Sequence, residues 1–360
     1  MKILYYINGM HFGGAAKKVA MLSGELSRRG HEVHVATNMF LPIGFKMSPD
    51  VHLHSLYPED SYTRGRVYRL MNVIKNARRI ALELRPDVIV SVLPHVSLFV
   101  RIAVSGTGIP LVFSDETSFA RKDSWVDYLV RRHLYYFADA VTLLTHNDAR
   151  ILGRRIPRKT VIHNPVLTPP VPAGIVREKV ILAVGPLFEW DIKGFDLLFD
   201  AFSSLKADFP EWKLKIVGAK DAATESKVMD MAAAKGVADR LTLTGFDPDI
   251  FNHMRQASVY ALTSRIEGFS LSLVEAMSQG CACVAFRSHG VIEEVSQGGK
   301  GVVLIDDGDV KGFGEGLRRC MSDSVLRQNL ADEGIECSKR YGLVEIANDW
   351  EQLFRRLIER

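Results

Sequence analysis

Val259-Tyr260-Ala261-Leu262-Thr263-Ser264-Arg265-Ile266-Glu267-Gly268-Phe269-Ser270-Leu271-Ser272-Leu273-Val274-Glu275 is the stretch on which the fold turns. Val259–Leu262 is an apolar run of strand length, and after a loop closed by Gly268 an apolar helix begins. A strand followed at once by a helix is half of a crossover unit, and crossover units build parallel sheets.

Outward from this stretch the pattern repeats. Val180–Val184, Lys213–Val217, Leu241–Thr244, Cys283–Ala285 and Gly301–Leu304 read as its sister strands. An earlier series, Lys2–Ile7, Glu32–Ala36, Asp87–Val92, Leu111–Ser114 and Ala140–Leu144, predicts a second sheet. Longer helical patterns separate these runs, as parallel sheets require. Between the two series lies Asn164-Pro165-Val166-Leu167-Thr168-Pro169-Pro170-Val171-Pro172, whose prolines suit neither a helix nor a central strand. The expectation is an α/β chain of two doubly wound domains, 1–165 and 166–342, facing each other across a cleft at the carboxyl ends of their strands, where such sheets bind ligands.

Composition sets outer limits. With 360 residues, 47% of them hydrophobic, the chain can bury two ordinary cores. Cys281, Cys283, Cys320 and Cys337 lack zinc-site spacing and are too few for a secreted disulfide scaffold, so a reducing cytoplasm is expected. The N-terminal apolar run meets Gly9 and His11 too soon for a signal peptide. Val88–Val100, interrupted by Pro94 and His95, is too short to span a bilayer. Up to Pro170 there are 23 basic residues against 13 acidic ones, and afterwards 23 against 29. Either the first half meets something anionic, or its surface charge has simply drifted.

Four places can carry chemistry. Gly13-Gly14-Ala15 follows the first strand, and glycine there lets backbone approach a phosphate at a helix start; any tight strand-to-helix turn would look the same. The G-x-G-x-x-G spacing is absent and no acid ends the second strand, so a nicotinamide cofactor is not expected. Gly185-Pro186-Leu187-Phe188-Glu189-Trp190-Asp191-Ile192-Lys193-Gly194 places Lys193 before a helix at Phe195–Leu205, where it holds a diphosphate or is a solvated lysine beside a capping glycine. In the opening stretch, Glu267 and Glu275 are eight positions apart, ~80° around a helix, so they share a ligand best with Glu267 on the loop and Glu275 a turn or two into the helix. Gly268 then leaves the amides of Phe269, Ser270 and Leu271 free for a phosphate or sugar oxygen. Carboxylates accept paired hydrogen bonds from vicinal hydroxyls, so this place points to a sugar nucleotide.

Gly13-Gly14-Ala15, Lys193-Gly194, Ser264-Arg265-Ile266-Glu267-Gly268-Phe269, Glu275-Ala276-Met277 and the following Gly280 resemble the retaining GT-B glycosyltransferases of family four, over the whole length of the chain. The resemblance implies two Rossmann-like domains that clamp a sugar nucleotide, without a metal, and transfer the sugar with its anomeric configuration kept. It implies that Glu275 accepts from ribose hydroxyls, that Glu267 and the Phe269–Leu271 backbone face the donor sugar, and that Lys193 with Gly14 meets the diphosphate. Gly290-Val291-Ile292-Glu293 stands at the family's Gly-Pro-x-Glu segment, and a final helix over 343–360, Glu345–Arg360 in the pattern, resembles the segment that packs back on the first domain.

Two departures stand out. Pro186 occupies the place of an arginine that neutralises the leaving diphosphate, and Arg265 or Lys17 are the candidate replacements. Ser114-Asp115-Glu116-Thr117 occupies the place of a histidine near the reacting sugar. Asp115 or Glu116 there is either a general base for the acceptor hydroxyl or a cap for the next helix. His95, at a strand end, either lines the cleft or is structural.

The fourth place is Arg64–Arg85, a basic amphipathic helix whose charged face is either merely solvated or meets an anionic membrane, with Arg121-Lys122, Trp125 and Arg131-Arg132 in support. No aromatic and basic interleaving points to nucleic acid. Asp247-Pro248-Asp249 and Asp307-Gly308-Asp309 read as turns, so no metal is expected. The sequence therefore predicts a cytoplasmic glycosyltransferase, peripheral on the inner face of the cytoplasmic membrane if the basic helix meets lipid. It would move a hexose or N-acetylhexosamine from a UDP-type donor to a glycan or lipid-linked acceptor. The rival expectation is a weakly active sugar-nucleotide-binding subunit.

Overall fold

Each strand pairing in a computed structural model of the chain is parallel, and the pairings form two separate sheets. The structure describes residues 1–11, 13–58, 65–121, 124–172 and 174–359. Two compact units result, Met1–Pro165 with Leu343–Arg360, and Val166–Gly342.

The first unit carries β1 (Lys2–Tyr6), β2 (Glu32–Thr37), β3 (Val51–Ser55), β4 (Val88–Val92), β5 (Leu111–Ser114), β6 (Ala140–Leu143) and β7 (Lys159–Val161). Between them run α1 (Gly14–Arg28), α2 (Arg66–Leu84), α3 (Pro94–Ala103), α4 (Trp125–Leu129) and α5 (His146–Leu152). The strand order is β3-β2-β1-β4-β5-β6-β7, so the winding reverses between β1 and β4. Ile3, Tyr5 and Ile7 alternate with Leu4 and Tyr6, because both faces of this sheet are covered by helices. β3 and β7 escaped the sequence reading: both sit at the sheet's edges, and Val51-His52-Leu53-His54-Ser55 carries polar side chains where a central strand is apolar.

The second unit carries β8 (Glu178–Val184), β9 (Lys213–Val217), β10 (Leu241–Gly245), β11 (Ala257–Leu262), β12 (Ala282–Phe286) and β13 (Val302–Ile305), in the order β10-β9-β8-β11-β12-β13. Its helices are α6 (Trp190–Lys193), α7 (Phe195–Ser203), α8 (Ala222–Ala234), α9 (Ile250–Gln256), α10 (Leu271–Ser278), α11 (Val291–Val295), α12 (Val310–Ser322) and α13 (Ser324–Ser338). Here the winding reverses between β8 and β11, and that point is where an open parallel sheet leaves a crevice for a ligand.

The last helix, α14 (Leu343–Ile358), belongs to the first unit. Trp350 and Phe354 are fully buried against α1 and the β1 face, and Arg29 holds the helix from outside by bonding Glu351 at 3.0 Å and the Val344 carbonyl at 2.9 Å. The four cysteines are buried and free, and burial pushes the Cys281 thiol up to about 11 and the Cys320 thiol up to about 12. No helix among the described residues is long and apolar enough to cross a membrane.

Candidate functional site

At the carboxyl ends of β8 and β11, two loops are stitched into one structure. The Thr263 hydroxyl donates to the Lys193 carbonyl at 3.0 Å, and the Arg265 amide donates to the Ile192 carbonyl at 2.8 Å. Gly194, between α6 and α7, adopts φ +66°, and a Cβ there would lie 2.1 Å from the Thr263 carbonyl oxygen. Glycine is therefore the residue that permits this close approach. A Cβ on Gly185 would meet Lys193 Cγ at 2.9 Å, so the lysine stem lies directly over that turn.

Held in this way, Lys193 reaches Glu267, Nζ to Oε1, at 2.9 Å, with 19% and 9% of the two side chains exposed. Burial pulls the lysine's pKa down, but the Glu267 charge and hydrogen bond outweigh it and hold the ammonium above its ordinary value. Glu275 is buried one turn into α10. Lysine, glutamate and a helix start thus converge at one edge of one sheet.

The helix start differs from the sequence expectation. α10 begins at Leu271, because Ser270 takes a left-handed conformation (φ +65°) and acts as the N-cap, so Phe269 and Ser270 belong to the loop. The Phe269 ring is buried and meets Tyr341 edge to face at 5.2 Å, which anchors the loop while half-buried Gly268 carries it towards Glu267. The first amides of a helix have no acceptor within it, so those of Leu271, Ser272 and Leu273, ahead of the Val274 amide that bonds the Ser270 carbonyl, are the open donors here. The Ser264 and Ser270 hydroxyls are buried without a partner among the described residues, which leaves two further donors beside the Lys193–Glu267 pair.

Two other expected residues have structural partners of their own. Arg265 grips Asp196 with both guanidinium nitrogens, at 2.7 and 2.9 Å, so its charge is already balanced and it is a weak replacement for the cation missing at Pro186. Glu293 lies exposed on α11 and pairs with Arg287 at 2.8 Å. Asp249 and Asp309 cap α9 and α12, and Asp307 accepts from the Ser288 and His289 amides. Among the described residues no group of three or more His, Cys, Asp or Glu could hold a metal ion.

In the first unit, Gly13 and Gly14 end the β1 loop at the point where α1 starts, and half-exposed His95 opens α3 after β4. The acid pair beyond β5 is not free. Asp115 is fully buried and accepts from Arg131 at 2.8 and 3.0 Å and from the Tyr135 hydroxyl at 2.7 Å. That network rules it out as an accessible base, and it makes Arg131 an internal anchor instead of part of a basic surface. Glu116 is gripped through Oε1 by Lys18 and by the Ser114 hydroxyl, both at 2.6 Å, while its Oε2 is buried without a partner among the described residues. Neither acid caps the next helix, which Ser124 caps.

The basic helix is also less available than its pattern suggests. Arg78 bonds the Ala103 and Ser105 carbonyls at the end of α3, and Arg79 pairs with Glu83. Arg64 and Lys122 lie outside the described residues. Sequence reasoning missed Lys18, which the adjacent Lys17 masks as one of a surface pair, and Gly218, where a Cβ would sit 1.9 Å from the Gly185 carbonyl oxygen. A glycine immediately after strand Lys213–Val217 was the available signal.

Two family models match successive stretches of the chain. Residues 12–168 match Glycosyltransferase Family 4 and residues 172–336 match Glycosyl transferases group 1. An uncharacterized glycosyltransferase of Haemophilus influenzae is 24% identical over 363 residues, covering 97% of this chain and 99% of that protein. The Campylobacter jejuni N-acetylgalactosamine-N,N'-diacetylbacillosaminyl-diphospho-undecaprenol 4-alpha-N-acetylgalactosaminyltransferase is 26% identical, over 48% of this chain and 46% of its own length. Among solved structures, sucrose-phosphate synthase from Thermosynechococcus elongatus superposes with a TM-score of 0.83 at 18% identity, over 99% of both chains. Anabaena HepE in complex with UDP and glucose gives 0.80 at 20% identity, over 99% of this chain and 100% of that one. These structures share the fold, two parallel-sheet Rossmann-like domains of the GT-B kind.

Proposed function

Because the chain belongs to the group 1 glycosyltransferases of family four, we propose that it moves a hexose or N-acetylhexosamine from a UDP-sugar to a hydroxyl of a glycan or lipid-linked acceptor, in the assembly of a bacterial surface polysaccharide or glycoconjugate. The reading takes transfer to be retaining and independent of metal. One observation carries it: a buried Lys193–Glu267 pair stands beside the open amides of α10 and the buried Glu275, at the switch point of the second sheet.

In this reading Lys193 and the α10 amides neutralise the diphosphate, which is the leaving group, so their stabilisation grows as the glycosidic bond breaks. Glu267 accepts from the donor sugar's hydroxyls and Glu275 from the ribose. Support for UDP comes from the HepE complex, and support for an undecaprenyl-diphosphate acceptor from the name of the Campylobacter relative. On the acceptor side Glu116 is as enclosed as Asp115, its Oε1 held by Lys18 and Ser114 and its Oε2 buried, so in this reading it fixes the end of β5 and is not an accessible base. An anionic membrane surface belongs to the same reading, as the place of a lipid-linked acceptor, and the protein would then work in the cytoplasm on the membrane's inner face.

A second reading, a sugar-nucleotide-binding subunit with little turnover, is favoured by Pro186 and by the Arg265–Asp196 pair, which together leave the leaving group short of a cation. Incubation with UDP- and GDP-sugars and with free and lipid-linked acceptors, followed by nucleotide release and product analysis, separates the two. Product that disappears in Glu267→Ala supports the enzyme. Nucleotide binding with no product from any acceptor, and a Glu267→Ala variant altered in affinity alone, would establish the binding subunit.

A further inference from the structure

We propose that the helical run Trp125–Phe137 docks this protein on an anionic bilayer, with an acyl chain in a groove on one flank and lipid phosphates against arginines on the other. The inference deepens the reading above, from which it takes a membrane-borne acceptor. It moves the contact away from α2, whose Arg78 is bonded to the carbonyls at the end of α3 and whose Arg79 is balanced at the surface by Glu83.

The run changes pitch twice, from α over Trp125–Leu129 to a π turn over Val130–Leu134 and a 3-10 turn over Tyr135–Phe137. Its inner side is fixed by Asp115, which accepts from both Arg131 and Tyr135. Its outer side is apolar and aromatic. Trp125 is 75% exposed, Phe137 is 59% exposed, and Tyr128, Leu129 and Tyr136 are exposed with them. Neighbouring α3 adds Leu98 and Ile102, and α2 beside it adds Leu70 and Met71. Exposed apolar side chains in such number on adjacent helices mark an interaction surface.

Two cavities flank the run. One, of about 310 Å³, is walled by Leu98, Trp125, Leu129, His133, Leu134 and Phe137, a lining suited to hydrocarbon. The other, of about 510 Å³, is lined by Phe119, Tyr128, Arg132, Ile151, Arg154 and Arg155. Arg132 lies over the Tyr128 ring at 5.8 Å, and neither it nor Arg154, Arg155 or Arg101 has an ion pair among the described residues. Three nearby acids among the described residues have other partners: Asp115 holds Arg131, Asp139 faces Arg158, and Asp127 accepts from the Ser124 hydroxyl and faces His95. Unpaired cations beside an aromatic and aliphatic groove complement the phosphates and the interfacial zone of an anionic bilayer, whereas a protein partner would have to supply both the anions and the chain.

The assay uses the full chain and no sugar, so it fails or succeeds independently of transferase activity. Co-sedimentation with phosphatidylcholine vesicles containing phosphatidylglycerol should show partitioning that falls with salt, against little binding to phosphatidylcholine alone. Arg132→Gln/Arg154→Gln/Arg155→Gln should weaken partitioning about a hundredfold, at roughly fivefold per cation. Of the four tryptophans, Trp212 and Trp350 are fully buried and Trp190 is half-buried in the second unit beneath Lys227, so a blue shift that belongs to docking should come from Trp125 and vanish in Trp125→Phe but persist in Trp190→Phe. All of these variants keep the Asp115–Arg131 anchor, and unchanged UDP binding reports an intact fold. Equal binding to neutral vesicles, parental binding by the triple variant, or a loss reproduced in full by Arg78→Gln/Arg79→Gln would overturn the inference. So would a dimer that buries Trp125 and ignores vesicles.

Discussion

Replacing Lys193 by methionine removes an ammonium while keeping most of the stem that lies over Gly185. The pair it breaks is short, 2.9 Å, and about nine-tenths buried on the glutamate side. Removing one partner of a buried pair costs about 3–5 kcal/mol, and the residual exposure of Lys193 argues for the lower end. At roughly 2–4 °C per kcal/mol for a unit of this size, the expected fall in the thermal midpoint of Val166–Gly342 is about 6–12 °C. Glu267→Gln strands the ammonium instead and should cost a similar amount. The double variant leaves no stranded charge, so its loss should fall short of the sum by about 2 kcal/mol, the coupling energy of the cycle. Because the Lys193 pKa is raised in the fold, its contribution is complete below the ordinary lysine value and disappears only as pH climbs through the higher folded one. The cycle should therefore read the same at pH 7 and pH 9. Calorimetric UDP titration supplies the functional half. Lys193→Met should weaken binding about tenfold to a hundredfold, the worth of one charge-assisted contact, while Glu267→Gln leaves it equal or tighter and abolishes transfer. Additive stability losses would refute the coupling, and an unchanged UDP affinity in Lys193→Met would remove that lysine from the diphosphate.

Three further outcomes follow from the same geometry. Gly194→Ala, whose Cβ would press on the Thr263 carbonyl from a left-handed backbone, should cost about 3 kcal/mol or more in urea unfolding and loosen UDP binding with it; wild-type stability would mean that the loop yields freely. Pro186→Arg restores a cation beside the leaving group and should raise kcat about tenfold or more with little change in KM, and an unaltered kcat would show that another cation already serves. On β2 and β3, burial lowers the pKa of both His34 and His54, against the Glu32 hydrogen bond at His34 and with the help of the His34 charge at His54; the two rings lie 2.9 Å apart among Glu32, Lys2, His52, Arg79 and Glu83. Depressed histidines bind protons more readily when unfolded, so the thermal midpoint should drop as pH falls from 7 through 6, and His34→Gln/His54→Gln should flatten that slope.

The strands legible in the sequence were those buried on both faces, where apolar content alone is diagnostic. Edge strands β3 and β7 stayed hidden because solvent on one side dilutes the signal. Glycine punctuation located the start of α10 to within two residues, placing it at Phe269, since nothing in Phe-Ser-Leu announces that Ser270 adopts a left-handed turn. Charge partners were the least legible feature. Lys18 and Glu116, like Asp115 and Arg131, are brought together by the crossover connections of the sheet, and separations of that kind leave no periodic trace in a single chain.

Those partners divide the chemistry between two sheets of nearly the same topology. Both wind outward from a first strand and reverse beside it, so each presents a crevice at its switch point. In the second unit the charges at that point, Lys193 and Glu267, bind each other at an edge that also offers open helix amides and two serine hydroxyls without a partner among the described residues. In the first unit the corresponding acids are closed inward: Asp115 is saturated by Arg131 and Tyr135, and Glu116 keeps one unused oxygen under the hold of Lys18, whose ammonium also lies 4.9 Å from the Trp350 ring of α14. A saturated network fixes geometry and resists ionic competition, which suits the orientation of a neutral hydroxyl; an incompletely satisfied one invites an anion. The Asp115 network is accordingly the more rigid of the two, and the second edge the one that leaves hydrogen-bond donors open.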